Sequence, residues 1–205
     1  MRKIALSIIL FFCLLTLCSC SDNRPKRIGS SNQDTIKFHN IDWLTEKKEV
    51  EKILDNDFGK DTYTVISGTN KYYYKGTYFA SYRGKEGDNN PLLWDIGGYG
   101  VKKITFNYYS PDNGKSNYLF AVEIRYEDYS QKQFDDLRYK LAKLYDETYH
   151  VKGNADEAVE YLDKNNNKIR MIYRDDNYVN AHAITITYEC DDIVKLIEKE
   201  QEPNL

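Results

Sequence analysis

Two alternating runs separated by a turn limit what this chain can fold into. In Lys103–Tyr109, Ile104, Phe106 and Tyr108 share one parity and Lys103, Thr105 and Asn107 take the other. In Tyr118–Glu127 the pattern returns, with Phe120, Val122, Ile124 and Tyr126 set against Glu123, Arg125 and Glu127. A period of two sends successive side chains to opposite faces of a strand. Pro111-Asp112-Asn113-Gly114 between the runs is turn chemistry. The pair therefore predicts an antiparallel hairpin with one dry and one wet face.

The dry face needs a cover, and the next stretch supplies it. Ser130 and Gln133 have capping-box spacing. Behind them Phe134, Leu137, Leu141 and Leu144 fall at i, i+3, i+7 and i+10, the stripe of a helix lying on a sheet. An earlier helix is expected from a Thr45 cap, with Val50, Ile53 and Leu54 as its apolar stripe and Gly59 as its stop. Strands are expected at 35–41, 62–67, 71–82, 157–163, 168–174 and 183–189. Asp191 opens a closing helix carrying Ile193, Val194, Leu196 and Ile197. Residues 83–100 read as an irregular stretch, with Gly97-Gly98 as a flexible entry into the sheet.

In order, the elements read β-α-β-β-β over 35–109 and β-α-β-β-β-α over 118–199. The fold class is α+β: an antiparallel sheet with helices packed on one face, built from two similar units within one domain, 35–200. This order is loosely similar to duplicated β-lactamase-inhibitor-like modules and to small outer-membrane assembly lipoproteins. The likeness concerns layout and carries over no site residue.

The start of the chain has a different character. Arg2 and Lys3 precede an apolar run at 4–17, the parts of a secretory signal. The run falls short of the roughly 20 residues that a membrane-crossing helix needs. Leu17-Cys18-Ser19-Cys20 resembles the lipobox of bacterial lipoproteins. That resemblance implies a signal peptide at 1–19 and a lipid on Cys20, the new N-terminus. It further implies a cell-envelope location, with the membrane as one partner through the lipid. Ser21 differs from the Asp that retains some lipoproteins at the inner membrane, so the outer membrane is the expected one in a Gram-negative cell. Residues 21–34 are polar and aperiodic and read as a tether, so 20–34 forms the lipidated N-terminus and linker.

Composition narrows the function classes. The 29 Lys+Arg lose Arg2 and Lys3 with the signal, leaving 27 against 32 Asp+Glu, a mature charge of −5. No nucleic-acid partner is expected from that balance. Cys13 and Cys18 also leave with the signal, and lipid would block Cys20. Cys190 then stands alone, without an intrachain disulfide, and is expected to be buried.

Catalytic, cofactor and metal signatures are absent from the sequence. The run from Asp163 to Asn167 has oxygen ligands at calcium-loop spacing, but Lys168 and Arg174 occupy the positions that need Gly and Glu. A hairpin turn is expected there instead. His182 and Cys190 share a parity yet stand eight residues apart on one strand, about 26 Å at ~3.3 Å per residue, too far to cooperate. His39 and His150 have no local partner in sequence, and Arg125 between Glu123 and Glu127 points to an ion-pair ladder. The feature in excess is tyrosine, 19 in all. Tyr72, Tyr73, Tyr74 and Tyr78 crowd one short hairpin, with Trp94 following. Such rings suit recognition surfaces, so these five are the candidate binding residues. The expected function is non-enzymatic binding of a protein or envelope component. The alternatives are glycan or small-ligand binding through 72–99 and, third, an envelope hydrolase.

Overall fold

The computed structural model describes residues 36–39, 41–60, 62–69, 76–84, 95–112, 114–152, 156–176 and 181–201. They form an α+β fold built on an antiparallel sheet. Helix α1 (Lys47–Leu54) continues through a π-helical turn (Asp55–Gly59) into β1 (Tyr63–Thr69) and β2 (Thr77–Gly84). A two-residue ribbon, β3 (Asp95–Ile96) and β4 (Tyr99–Gly100), precedes β5 (Lys103–Tyr109) and β6 (Tyr118–Glu127). Then come α2 (Gln131–Ala142), β7 (Asp146–Lys152), β8 (Asp156–Leu162), β9 (Lys168–Asp176), β10 (Ala181–Glu189) and α3 (Asp191–Gln201).

Eight strands join in one sheet in the order β1-β2-β5-β6-β10-β9-β8-β7. The β5/β6 hairpin lies where the two halves of the chain meet. Its register pairs Ile104 with Ile124 and Phe106 with Val122, with a bulge beyond Asn107. One row of side chains crosses the sheet as Val65, Tyr82, Ile104, Ile124, Ile186, Met171 and Val159. Every member except Val65 is buried. The hairpin's inward set, Ile104, Phe106, Tyr108, Val122, Ile124 and Tyr126, is fully buried as the alternation requires.

Helices α1 and α2 cover that face. Phe134 of α2 meets the Tyr173 ring at 5.8 Å, and the Tyr161 hydroxyl donates to the Arg138 carbonyl at 3.1 Å. Gln133 Oε1 accepts the Ser130 N–H at 2.6 Å and fixes the helix start. From α1, Val50 and Leu54 are buried, and Tyr63 donates to Asp55. Helix α3 adds Ile193 and Ile197 to the core, and Glu200 accepts from the Tyr109 hydroxyl at 2.7 Å. Cys190 is buried, as its parity requires.

Several local expectations give way to tertiary context. Of the strand expected at 35–41, the described residues 36–39 and 41 make only an isolated bridge. His39 takes a positive φ of 48° and Phe38 bridges back to Ile41, so the segment turns over the sheet. Phe38 packs edge-on against Phe106 and Tyr188 there. Its alternation is satisfied by packing and not by a ladder. Thr45 bonds the Asp42 carbonyl, and Glu46 holds the cap position of α1. Helix α2 ends at Ala142, leaving Leu144 71% exposed and outside the apolar stripe. Strand β7 is an addition, so α2 is followed by four sheet strands where three were expected.

The Gly97-Gly98 turn is tied to its neighbours by three hydrogen bonds. Both glycines have positive φ, 70° and 85°, as a tight two-residue hairpin turn demands. Lys140 Nζ donates to the Gly97 carbonyl at 2.8 Å and the Tyr129 hydroxyl to Gly100 O at 2.8 Å. The Tyr126 hydroxyl bonds Ile96 O at 3.1 Å. These contacts clamp the ribbon onto α2 and the sheet.

Candidate functional site

The two edges of the sheet are built differently. Edge strand β7 carries Asp146, Glu147, His150 and Lys152 and breaks register between Glu147 and Tyr149. Charge and bulging are how natural sheets discourage strand addition. Edge strand β1 reads Tyr-Thr-Val-Ile-Ser-Gly-Thr, has no charged residue and pairs with β2 without a break. Val65 is 43% exposed and Ile66 50% exposed, on opposite faces of the same edge. Among the described residues no strand pairs with the outer side of β1, and Val65 and Ile66 lie exposed along it.

A cavity of about 300 Å³ opens beside the C-terminal end of this strand. It is lined by Lys47 of α1, Ser67, Gly68 and Thr69 of β1, Tyr78 and Phe79 of β2, Tyr108 of β5 and Asn117 before β6. Sheet register brings the pieces together, because Thr69 pairs with Tyr78 and Tyr78 with Tyr108. The Asn117 carbonyl accepts the Lys47 N–H at 2.9 Å, which joins the start of α1 to the β5–β6 turn. That turn is held by Asp112, which accepts from Ser110 Oγ and from the Ser116 N–H and hydroxyl. These donors hold its carboxyl below the usual range, the Ser116 N–H being the largest cause.

Two polar atoms of residues that line this cavity have no hydrogen-bond partner among the described residues. They are the Tyr108 hydroxyl and Asn117 Oδ1, both buried. Burial holds the Tyr108 hydroxyl well above its ordinary value, with Tyr82 and Glu51 adding to the shift. It is therefore a neutral donor. Asn117 Nδ2 faces the Gly114 carbonyl at 3.4 Å, which leaves the amide oxygen as the atom without a partner. No family model, no curated protein and no solved structure matches this chain.

Of the expected binding residues, Tyr78 is half-buried and lines the cavity. Tyr72, Tyr73, Tyr74, Trp94 and Cys20 lie outside the described residues. Sequence reasoning missed Lys47, Thr69, Tyr108 and Asn117, which come from four separate segments. No spacing rule links them.

Several other ionisable groups are engaged in the fold. His150 and His39 do have partners, but the fold supplies them. His150 Nε2 bonds Glu157 across the β7/β8 pair at 2.8 Å, and His39 bonds Asp57 at 2.9 Å. Gln131 also reaches Glu157, at 2.8 Å, while Arg138 bonds Glu147 at 2.8 Å. Arg125 pairs with Glu127 at 3.4 Å, the ladder contact anticipated on the wet face. Asp163 spends its carboxylate on the N–H groups of Ile36, Asn165 and Asn167 and on the Asn167 side chain. The Asp163 loop is a self-satisfied hairpin turn.

Proposed function

We propose that this chain is a membrane-anchored lipoprotein whose folded domain is a non-enzymatic binding module. Its partner is a protein that adds a strand along β1. The observation that carries this reading is the uncharged, unbroken β1 edge with Val65 and Ile66 exposed, set against the charged and bulged β7 edge. Strand addition draws affinity from main-chain hydrogen bonds and specificity from alternate side chains. Residues of β1 offer both. The lipobox-like Leu17-Cys18-Ser19-Cys20 supports an anchor through Cys20 and a place in the cell envelope, with the polar stretch 21–34 as spacer.

The test is Ile66→Lys, which puts a charge at the middle of the edge, beside Tyr139→Lys on the exposed side of α2. Ile66 and Tyr139 are both at least half exposed, 50% and 60%, so neither change should move stability by more than about 0.5 kcal/mol. Photo-crosslinking from position 64 in intact cells should trap a discrete adduct that Ile66→Lys abolishes and Tyr139→Lys leaves intact. Equal adduct yields in both variants would remove β1 as the docking edge. An adduct of twice the chain's own mass would make the partner a second copy.

A further inference from the structure

The sheet face turned away from α1 and α2 arranges its charges in two different ways. Along β9 each cation stands directly across from a carboxylate: Arg170 from Glu160, Arg174 from Asp156 and Lys168 from Glu189. Arg174 and Asp156 close to 3.4 Å. On β2, β5 and β6 the order is reversed. Arg83 stands across from Lys103, and Lys103 across from Arg125, which puts three cations in one row. Their neighbours in sequence, Tyr82, Ile104 and Ile124, are buried, so the three cationic side chains leave from the opposite face. Directly opposed Cβ atoms lie roughly 4.5–5.5 Å apart, and like charges so placed destabilise a sheet. Among the described residues the register holds no other pair of like charges.

Folding does not account for this row. Arg83 and Arg125 are exposed and Lys103 is half-buried. Arg83 and Lys103 make no ion pair among the described residues, while Arg125 and Lys102 share Glu127, each at 3.4 Å. Composition does not account for it either, because the chain as a whole carries a net charge of −3. Two strand spacings set Arg83 and Arg125 roughly 10 Å apart, wider than any single carboxylate or phosphate. Glu123 and Glu127 stand two residues to either side of Arg125 on β6 and border the row. They would repel a ligand of dense negative charge, whereas carboxylates separated along a peptide meet the cations one at a time. On one side of an extended segment residues recur every ~6.6 Å, a step that long arginine and lysine side chains can follow. We infer that this row docks an acidic segment of a partner protein, with its carboxylates on Arg83, Lys103 and Arg125. The guanidinium forks favour carboxylates held through two parallel hydrogen bonds. This surface does not depend on strand addition at β1.

The experiment is fluorescence anisotropy of labelled hexaglutamate titrated with the full chain in uncharged detergent at low salt, beside labelled hexaglutamine, which has the same shape without the charge. Hexaglutamate should bind, hexaglutamine should bind roughly tenfold more weakly or not at all, and added salt should weaken the acidic peptide. The double variant Arg83→Gln, Lys103→Gln should lose roughly tenfold in hexaglutamate affinity. Its melting temperature should stay the same or rise, because it removes opposed like charges. Arg170→Gln, across from Glu160 on the same face, should leave the titration unchanged. Equal affinity for the two peptides, or unchanged hexaglutamate affinity in the double variant, would overturn the inference. A drop in the double variant's melting temperature would do so too, since the cations would then serve the fold. Tripolyphosphate binding more tightly than hexaglutamate would overturn it in favour of a phosphate ligand. A dimer in sedimentation that the double variant dissociates would overturn it in favour of a second copy of the chain.

Discussion

Three leucines on or beside α2 offer a graded test of the fold. Leu137 is 4% exposed, Leu141 is partly buried and Leu144 is 71% exposed, although all three fit one helical stripe in the sequence. Leu137 also packs tightly against the β3–β4 ribbon, since a Cβ built on Gly97 would sit 2.7 Å from its Cδ2. That ribbon is held from two sides by Lys140, Tyr126 and Tyr129. It cannot collapse freely into the space left by truncation, so Leu137→Ala should fall in the middle of the buried-leucine range, about 3–4 kcal/mol. For a domain of this size that corresponds to roughly 6–16 °C of melting temperature, at ~2–4 °C per kcal/mol. Leu144→Ala should stay within about 0.5 kcal/mol, with Leu141→Ala between the two. Thermal unfolding followed by far-UV circular dichroism, checked by urea titration, measures all three. Equal shifts for Leu137→Ala and Leu144→Ala would refute the packing of α2 described above.

Two further outcomes follow from charge and from the N-terminus. Burial raises the Glu189 carboxyl above its ordinary range, with Glu160 and Asp191 adding to the rise and Lys168 and Arg170 opposing it. The folded state then holds a proton the unfolded chain has released, so stability falls as pH rises through the shifted value. Glu189→Gln should raise the melting temperature near about pH 7.5 and change it little near about pH 3, below the ordinary glutamate value, where the carboxyl is protonated in both states; the opposite ordering would reverse the assigned sign. Cys20→Ala should block lipid attachment and normal processing, read by labelled fatty-acid incorporation. Retained labelling would place the lipid elsewhere.

Much of the fold was legible because a local period reports which side of an element is dry. The alternation over 103–108 and 122–127 and the start of α2 at Ser130 depend on neighbours a few residues apart, and they stand as the sequence implies. The bulge beyond Asn107, by contrast, leaves residues 118–122 all buried, without alternation. The same reasoning failed where a remote contact sets the backbone. Residues 36–41 alternate, yet Phe38 finds its cover on Phe106 and Tyr188, and the chain turns at His39. Strand β7, rich in charge, has little apolar alternation to announce it and exists because β8 offers it a ladder. Leu144 fits the stripe but lies beyond the last turn of α2.

The candidate site divides along the same line. Residue composition by itself drew attention to the tyrosines before β2, and Tyr78 does line the cavity. The sequence could also place an uncharged strand over 62–67, but not at the sheet's edge, because an edge is defined by which strand fails to arrive beside it. Tyr108 and Asn117 carry no signal in the chain that marks them. Tyr108 reads as one more inward residue of an alternating strand, and Asn117 as one more polar residue of a turn. Whether a buried hydroxyl or amide finds a partner depends on atoms brought from distant segments, and that pairing is decided only when the sheet and α1 close over them.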